Sequence, residues 1–287
     1  MRHLIARAVT IALCLAAGAA GSATAQNMAT YTTSRIHAGE ERLAVEIEFA
    51  AGELHVTPAP AGTLYRTVVE FDARRASPVA QYTTGKLRLG LAGESSGPGR
   101  NQGRAQSRTR MDVALSPDAI LDLSLEFGAA RADIDLGGLR IERLDIGTGA
   151  SETSIRFSRP NPVRASSVRV SVGAAALRVA EIGNMNAERL RVDGGVGDVH
   201  LDFSGDWQND LTAEVRMGVG ALTLVLPRTV GVQIVRESFL TSFDTQGLEQ
   251  RDGGYFTSNW EQADRRLTIH VEAAFGLINV RWTGDAR

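Results

Sequence analysis

An all-β fold, a solenoid-like stack of short repeated units, is what this sequence predicts, and three observations predict it. First, a strand-like run, a tight small-x-small turn built mostly from glycine, and a second strand-like run recur along the chain. The copies are LSLEFGAARADIDL (Leu123–Leu136), LDIGTGASETSIRF (Leu144–Phe157), VRVSVGAAALRV (Val168–Val179), LRVDGGVGDVHLDF (Leu190–Phe203) and AEVRMGVGALTLVL (Ala213–Leu226), with outlying copies AVEIEFAAGELHV (Ala44–Val56) and HVEAAFGLINVRW (His270–Trp282). Second, apolar residues alternate within the runs, as in Leu121, Leu123, Leu125 and Phe127, which is the period of half-buried strands. Third, helical periodicity is weak from Met28 onward, the best candidate being NWEQADRRL at Asn259–Leu267. Units that recur at a fixed period bury their apolar faces mainly against their neighbours.

The elements follow in chain order. Arg2, His3 and Arg7 precede a mostly apolar run from Ala8 to Ala20, and Ala23-Thr24-Ala25 is a small-x-small cleavage site before Gln26. Residues 1–25 therefore have the pattern of a secretory signal peptide, and the expected location is exported, periplasmic or at the cell surface. Cys14, the single cysteine, lies inside this leader. The exported chain is expected to hold its fold without disulfides.

Residues 26–115 are expected to form an N-terminal β region that starts the stack. RLAVEIEF and LYRTVVEFDA are its clearest strands. Residues 93–110, with GESSGPGRNQGRAQSRTR, lack apolar periodicity and predict a flexible basic loop. Residues 116–287 are expected to be the repeat region with a C-terminal cap. Taking Gly128, Gly147, Gly173, Gly195 and Gly218 as the turn glycines, the steps are 19, 26, 22 and 23 residues, about 22 per rung. Gly52, Gly149, Gly197, Gly220 and Gly276 complete the set of structural turn glycines. Ala130 and Ala175 replace the second glycine of a turn, and Ala50 and Ala274 the first, so small size suffices at those places. Phe275 stands between the small residues of the last copy, which predicts a different turn there.

Gly231 to Leu267 is a longer excursion, expected to fold over the far end of the stack, where open edges and an apolar cross-section need covering. Trp207, Tyr255, Phe256, Trp260 and Trp282 are candidates for packing that cap. Tyr255 and Trp260, in polar loop sequence, are equally candidates for surface binding.

Without the leader arginines the chain has 29 basic and 33 acidic residues. That balance argues against nucleic-acid binding. No segment after the leader is long and apolar enough to cross a bilayer as a helix.

At these residues the chain resembles a known family. FAAGEL, IGTGAS, DGGVGDVHLDFSGDW, MGVGALTLVLPRTVGV and the closing NWEQADRRLTIHVEAAFGLINVRW are similar to the toast-rack group of bacterial envelope proteins, which includes the C-terminal domain of LiaF-type cell-wall-stress regulators and adhesin-like repeat proteins. The resemblance implies a β-solenoid or sandwich-like stack on the outer side of the inner membrane, with a scaffold or sensing role and no established enzyme activity. The chain departs from the LiaF pattern in having no transmembrane helices.

A search for chemistry yields little. GESSG, centred on Ser95, matches a nucleophile elbow, but the loop around it lacks the strand and helix that an elbow needs. His37, His55, His200 and His270 show no metal-ligand spacing. GGVGDVHLD (194–202) resembles a calcium nonapeptide, yet Asp198 comes one residue early and the pattern does not recur. No catalytic residue, cofactor or metal is assigned.

The function expected is a non-catalytic envelope scaffold, adhesin-like or sensing, that binds a protein partner or cell-wall glycan, or itself. The alternative is a carbohydrate-active β-helix enzyme, with Asp133 and Asp135 or Asp198 and Asp202 as the acidic face and Arg131 or Arg156 nearby. It requires those carboxylates to converge in one groove.

Overall fold

The computed structural model describes residues 28–93, 109–243 and 245–284. The leader at 1–25 and most of the basic loop, including Ser95, lie outside the described residues. Gly93 closes one strand and Arg110 opens the next.

Sixteen strands form one continuous sheet: β1 (Met28–Ile36), β2 (Arg42–Pro58), β3 (Thr63–Asp72), β4 (Ala76–Thr83), β5 (Lys86–Gly93), β6 (Arg110–Leu115), β7 (Ile120–Asp135), β8 (Arg140–Thr148), β9 (Glu152–Arg156), β10 (Ser167–Ala180), β11 (Arg189–Asp202), β12 (Leu211–Leu226), β13 (Gly231–Phe243), β14 (Glu249–Arg251), β15 (Gly254–Phe256) and β16 (Arg266–Trp282). Among the described residues the helical content is one 3-10 turn at Ile182–Met185. The Asn259–Leu267 candidate makes a single turn, in which Ala263 N–H donates to the Asn259 carbonyl at 2.9 Å. It stops there because Arg266 already opens β16.

The long strands stack in parallel in the order β2, β7, β8 with β9, β10, β11, β12, β16, β13. Each repeat predicted from the sequence is a rung of this stack. The excursion from Gly231 supplies β13 as a further rung outside β16, and β14 and β15 add antiparallel strands beyond it. β3 and β6, antiparallel to each other, join β2 on its other side, and β1 lies on β3.

The core forms inside because each inward position meets its own kind on the next rung. Val45, Leu123, Leu144, Val168, Leu190, Ala213, Ile269 and Ile234 make one such ladder, every member buried. Leu54, Ala132, Thr153, Leu177, Val199, Leu222 and Ile278 make another. Thr153 is tolerated there because its hydroxyl bonds Ser151 Oγ at 2.9 Å, which satisfies a buried polar group.

The small-x-small step is a bend and not a tight turn. β2, β7, β10, β11, β12 and β16 run through it unbroken. The buried parity switches there: Val215 and Met217 face the core before the bend in β12, Leu222 and Leu224 after it. One unmatched residue lets a single strand serve two half-sheets. Gly149, and not Gly147, occupies this position on its rung, since a Cβ there would face the Gly128 carbonyl and one on Gly173 would face that of Gly149. With Gly149 in place the steps become 21, 24, 22 and 23 residues, more even than the sequence reading. Gly147 instead lies under the Glu126 carboxylate.

Beside the β1–β2 connection, Glu40 accepts from the Ala38 N–H at 2.6 Å and from the Tyr82 hydroxyl at 3.0 Å. The Ala38 amide above all holds this carboxyl down at about 2. A carboxylate kept ionised below its unfolded value stabilises the fold above that value and stops doing so as pH falls through the folded one. Glu40→Gln is therefore expected to lower Tm at neutral pH, with the gap to wild type closing between about pH 4 and about pH 2. A Tm difference independent of pH would contradict this.

Candidate functional site, a groove along the strand bends

The residue between the two small ones points outward at every bend, so a bulky side chain fits there. Phe275 therefore leaves the last bend unchanged, contrary to the sequence expectation. It stands in register with Val219 and Val196, and Gly276 repeats the backbone of Gly220 and Gly197. These outward residues form a ridge across the strands that grows from β2 to β16: Ala51 beside Ala129, then Ala174, Val196, Val219 and Phe275. Val196 is 58% exposed, Val219 47% and Phe275 51%, with Leu277 adding to the same end at 42%. Large exposed apolar side chains gathered in one place mark interaction surfaces more often than scattered ones do.

Beside the ridge runs an open groove of about 1270 Å³. Its floor is the glycine ladder Gly149, Gly173, Gly195 and Gly218, its end is Phe275, and Glu126, Asp193, Arg216, Glu272 and Glu237 line its flank. The flank follows from the register, because Gly147, Ser171, Asp193, Arg216 and Glu272 occupy one outward row from rung to rung, with Glu126 and Glu237 at its ends. Arg216 binds Glu272 at 2.9 Å and Asp193 accepts from Arg191 at 2.7 Å. Glu126 and Glu237 have no such partner among the described residues. The groove is thus apolar in its floor and at its end, and acidic along one bank.

The carboxylates proposed for catalysis lie elsewhere and apart. Asp133 and Asp135 are on β7, Asp198 and Asp202 on β11, with β9 and β10 between them. Three strand-to-strand spacings, about 14 Å, separate the pairs. Asp135 is half-buried, which alone would raise its pKa. The Gly137 N–H at 2.9 Å, the Ser158 hydroxyl at 2.8 Å and Arg156 at 3.1 Å outweigh burial and hold it below the usual carboxylate range. It is an acceptor closing a loop, unsuited to deliver a proton near neutrality. Arg131 is paired with Glu152 at 2.7 Å. Asp202 accepts from the Ser204 N–H at 2.9 Å.

The aromatic candidates are distributed. Trp207 lies between β11 and β12 over Gly183 and donates to the Phe203 carbonyl at 3.0 Å, so it packs a rung connection and not the far end. Trp282 closes β16, buried, with its indole N–H on the Gln246 carbonyl at 3.0 Å. Tyr255 meets Phe243 edge-on at 4.9 Å and Trp260 meets Phe256 at 5.5 Å. Neither Tyr255 nor Trp260 lines the groove. Among the described residues no group of three or more His, Cys, Asp or Glu side chains is placed to hold a metal ion, and no helix is long and apolar enough to cross a membrane.

Two features escaped the sequence reading. One is the graded ridge itself. The other is a ladder of buried asparagines joining the rung connections. Asn161 donates to the carbonyls of Ile141 at 2.8 Å and Met185 at 3.2 Å, Asn184 to that of Phe157 at 2.8 Å, and Asn186 to those of Asn161 at 3.0 Å and Val163 at 3.1 Å. Asn209 continues the series onto Asn186 Oδ1. The signal was present, since Asn161 to Asn184 and Asn186 to Asn209 are both steps of 23 residues, the period of the bends.

Solved structures similar to this chain include a candidate cell adhesion protein from Clostridium sporogenes, with 16% identity and TM-score 0.48, covering 89% of this chain and 100% of that one. A candidate adhesin from Bacteroides fragilis has 11% identity and TM-score 0.35, covering 88% and 96%. A candidate lipid-binding protein from Parabacteroides distasonis has 11% identity and TM-score 0.32, covering 89% and 97%. No curated protein sequence matches the chain. The sequence matches the family described as the N-terminal domain of toast_rack, DUF2154, over residues 22–180 and 165–225. By that match the chain belongs to the toast-rack family.

Proposed function

We propose that the protein is an exported, non-catalytic envelope module that holds a protein partner along the groove at the strand bends. Residues 1–25 direct export in this reading. The observation that carries it is the joint presence of the exposed Val196–Val219–Phe275 ridge and the acidic bank beside it. An apolar ridge costs solubility unless something covers it, and a partner with apolar side chains flanked by basic ones matches both banks. Tyr255 and Trp260 are an auxiliary contact area in the same proposal.

The test compares tagged wild-type protein with the double variant Val219→Asp, Phe275→Asp. Both positions point to solvent, so the fold should survive, as near-unchanged Tm would verify. Wild type should retain one stoichiometric envelope protein after chemical crosslinking in intact cells, and the double variant should lose it at least about tenfold. Recovery of glycan in place of protein, or equal recovery by both proteins, would overturn the reading. So would turnover of an envelope polysaccharide by catalytic amounts of protein.

A further inference from the structure

The sheet ends in edges that are treated differently. β14 at one extreme is three residues long and reads Glu-Gln-Arg. β4, paired only with β5 among the described strands, carries Pro78 as its third residue. The outer side of β13 is partly screened by β15 and by Tyr255 against Phe243. Short length, charge, proline and cover are the usual means of keeping an edge from pairing. β1 at the other extreme is neither short nor broken by proline, and no described strand covers its outer side. It is nine residues long, MATYTTSRI, pairs only with β3 among the described strands, and bears one charge. That charge, Arg35, lies over the Tyr82 ring at 4.0 Å and within 3.6 Å of Glu40 with its side chain 46% exposed, and the β1–β3 register shifts between it and Ile36.

The outward residues of β1 are Met28, Thr30, Thr32, Ser34 and Ile36, while Ala29 and Tyr31 pack toward the core. Met28 is 39% exposed and Ile36 79%. They stand the same distance either side of Thr32. An antiparallel pairing of β1 with its own copy about a two-fold axis at Thr32 therefore sets Met28 against Ile36 of the copy, Thr30 against Ser34, and Thr32 against Thr32. The strands behind agree in charge. Thr30 lies beside Glu70 and Ser34 beside Arg66 on β3, so the two rows that pair Thr30 with Ser34 each run from a glutamate to an arginine, with no like charges opposed.

We propose that the occupant of the β1 edge is a second copy of this chain, joined β1 to β1 in this register, so that two stacks share one continuous sheet. A two-fold interface is self-complementary, and this strand has that property about Thr32. The proposal does not depend on the groove, which lies at the strand bends, and it would leave two grooves on one assembly.

The test uses the full exported chain and sedimentation equilibrium. Wild type should show a reversible dimer. Thr32→Lys and Thr32→Glu, each placing like charges directly opposite, should each weaken dimerisation at least about tenfold, while an equimolar mixture should restore it as a mixed dimer. The exported chain lacks cysteine, so Thr32→Cys should oxidise to a disulfide dimer, the Cα separation across a strand pair lying in the range a disulfide spans. Wild type monomeric throughout, a dimer insensitive to both charges, or capture of a different protein's strand at β1 would each overturn the proposal.

Discussion

Gly220→Ala is expected to lower the unfolding free energy by at least about 3 kcal/mol. Two independent costs combine at this residue. Its φ is +148, outside the region L side chains adopt, and a Cβ would lie 1.8 Å from the Gly197 carbonyl oxygen of the preceding rung. That oxygen belongs to the backbone of a parallel pair and cannot withdraw without breaking the ladder. Gly276→Ala should behave alike, with φ +145 and the Gly220 oxygen at 1.8 Å. Gly149→Ala is the control. Its φ is ordinary and the nearest oxygen is 3.4 Å away, so its cost should stay within about 1 kcal/mol. Urea denaturation of the three variants decides the matter, and equal losses would mean that glycine is needed at the bends only for chain entropy.

The second large effect is expected at Asn161. It is 1% exposed and makes four hydrogen bonds to the main chain: two donated by Nδ2, and two accepted by Oδ1 from the N–H groups of Ile141 at 3.2 Å and Val163 at 3.1 Å. Asn161→Leu keeps the volume and orphans those backbone groups. Each buried orphan costs about 1–3 kcal/mol, and with partial relaxation the total should be about 3–5 kcal/mol. Asn209→Ala, which removes one bond to a neighbouring side chain, should cost about 1 kcal/mol. Faster hydrogen exchange at the Ile141 amide in Asn161→Leu would locate the loss in the rung connection. An unchanged rate beside a large stability loss would point to overpacking.

The bends were legible in the sequence because glycine there answers a backbone need. Gly197, Gly220 and Gly276 all have positive φ, and no other residue meets that need cheaply. The first position of each bend has ordinary φ and needs only the absence of bulk against the carbonyl of the rung before it. That is why alanine stands in at Ala50 and Ala274, and why Gly147 could be mistaken for Gly149. Glycine content alone does not say which residue faces the neighbour. The same ambiguity hid the freedom of Phe275, since only the register shows that the middle residue points away from the stack.

The candidate groove was harder to see. Glu126, Asp193, Arg216, Glu272 and Glu237 are far apart in sequence, and each looks like an ordinary solvent-facing position of an alternating strand. Stacking in register turns them into one bank. Placing Glu237 beside Glu272 also requires β16 to lie inside β13, an inversion of chain order that local periodicity does not encode. The acidic pairs Asp133 with Asp135 and Asp198 with Asp202 were conspicuous in the sequence because they are local. In the structure Asp135 is committed to a loop, and two rungs lie between the pairs.

The most direct measurement is site-specific photocrosslinking in intact cells, with a photoreactive residue at Val219 on the ridge and, for comparison, at Arg178 on the other half-sheet of the stack. A covalent adduct to one envelope protein from position 219, absent from position 178, is the predicted result. Adducts of equal yield from both positions, or none from position 219, would contradict the assignment of the groove as the binding face.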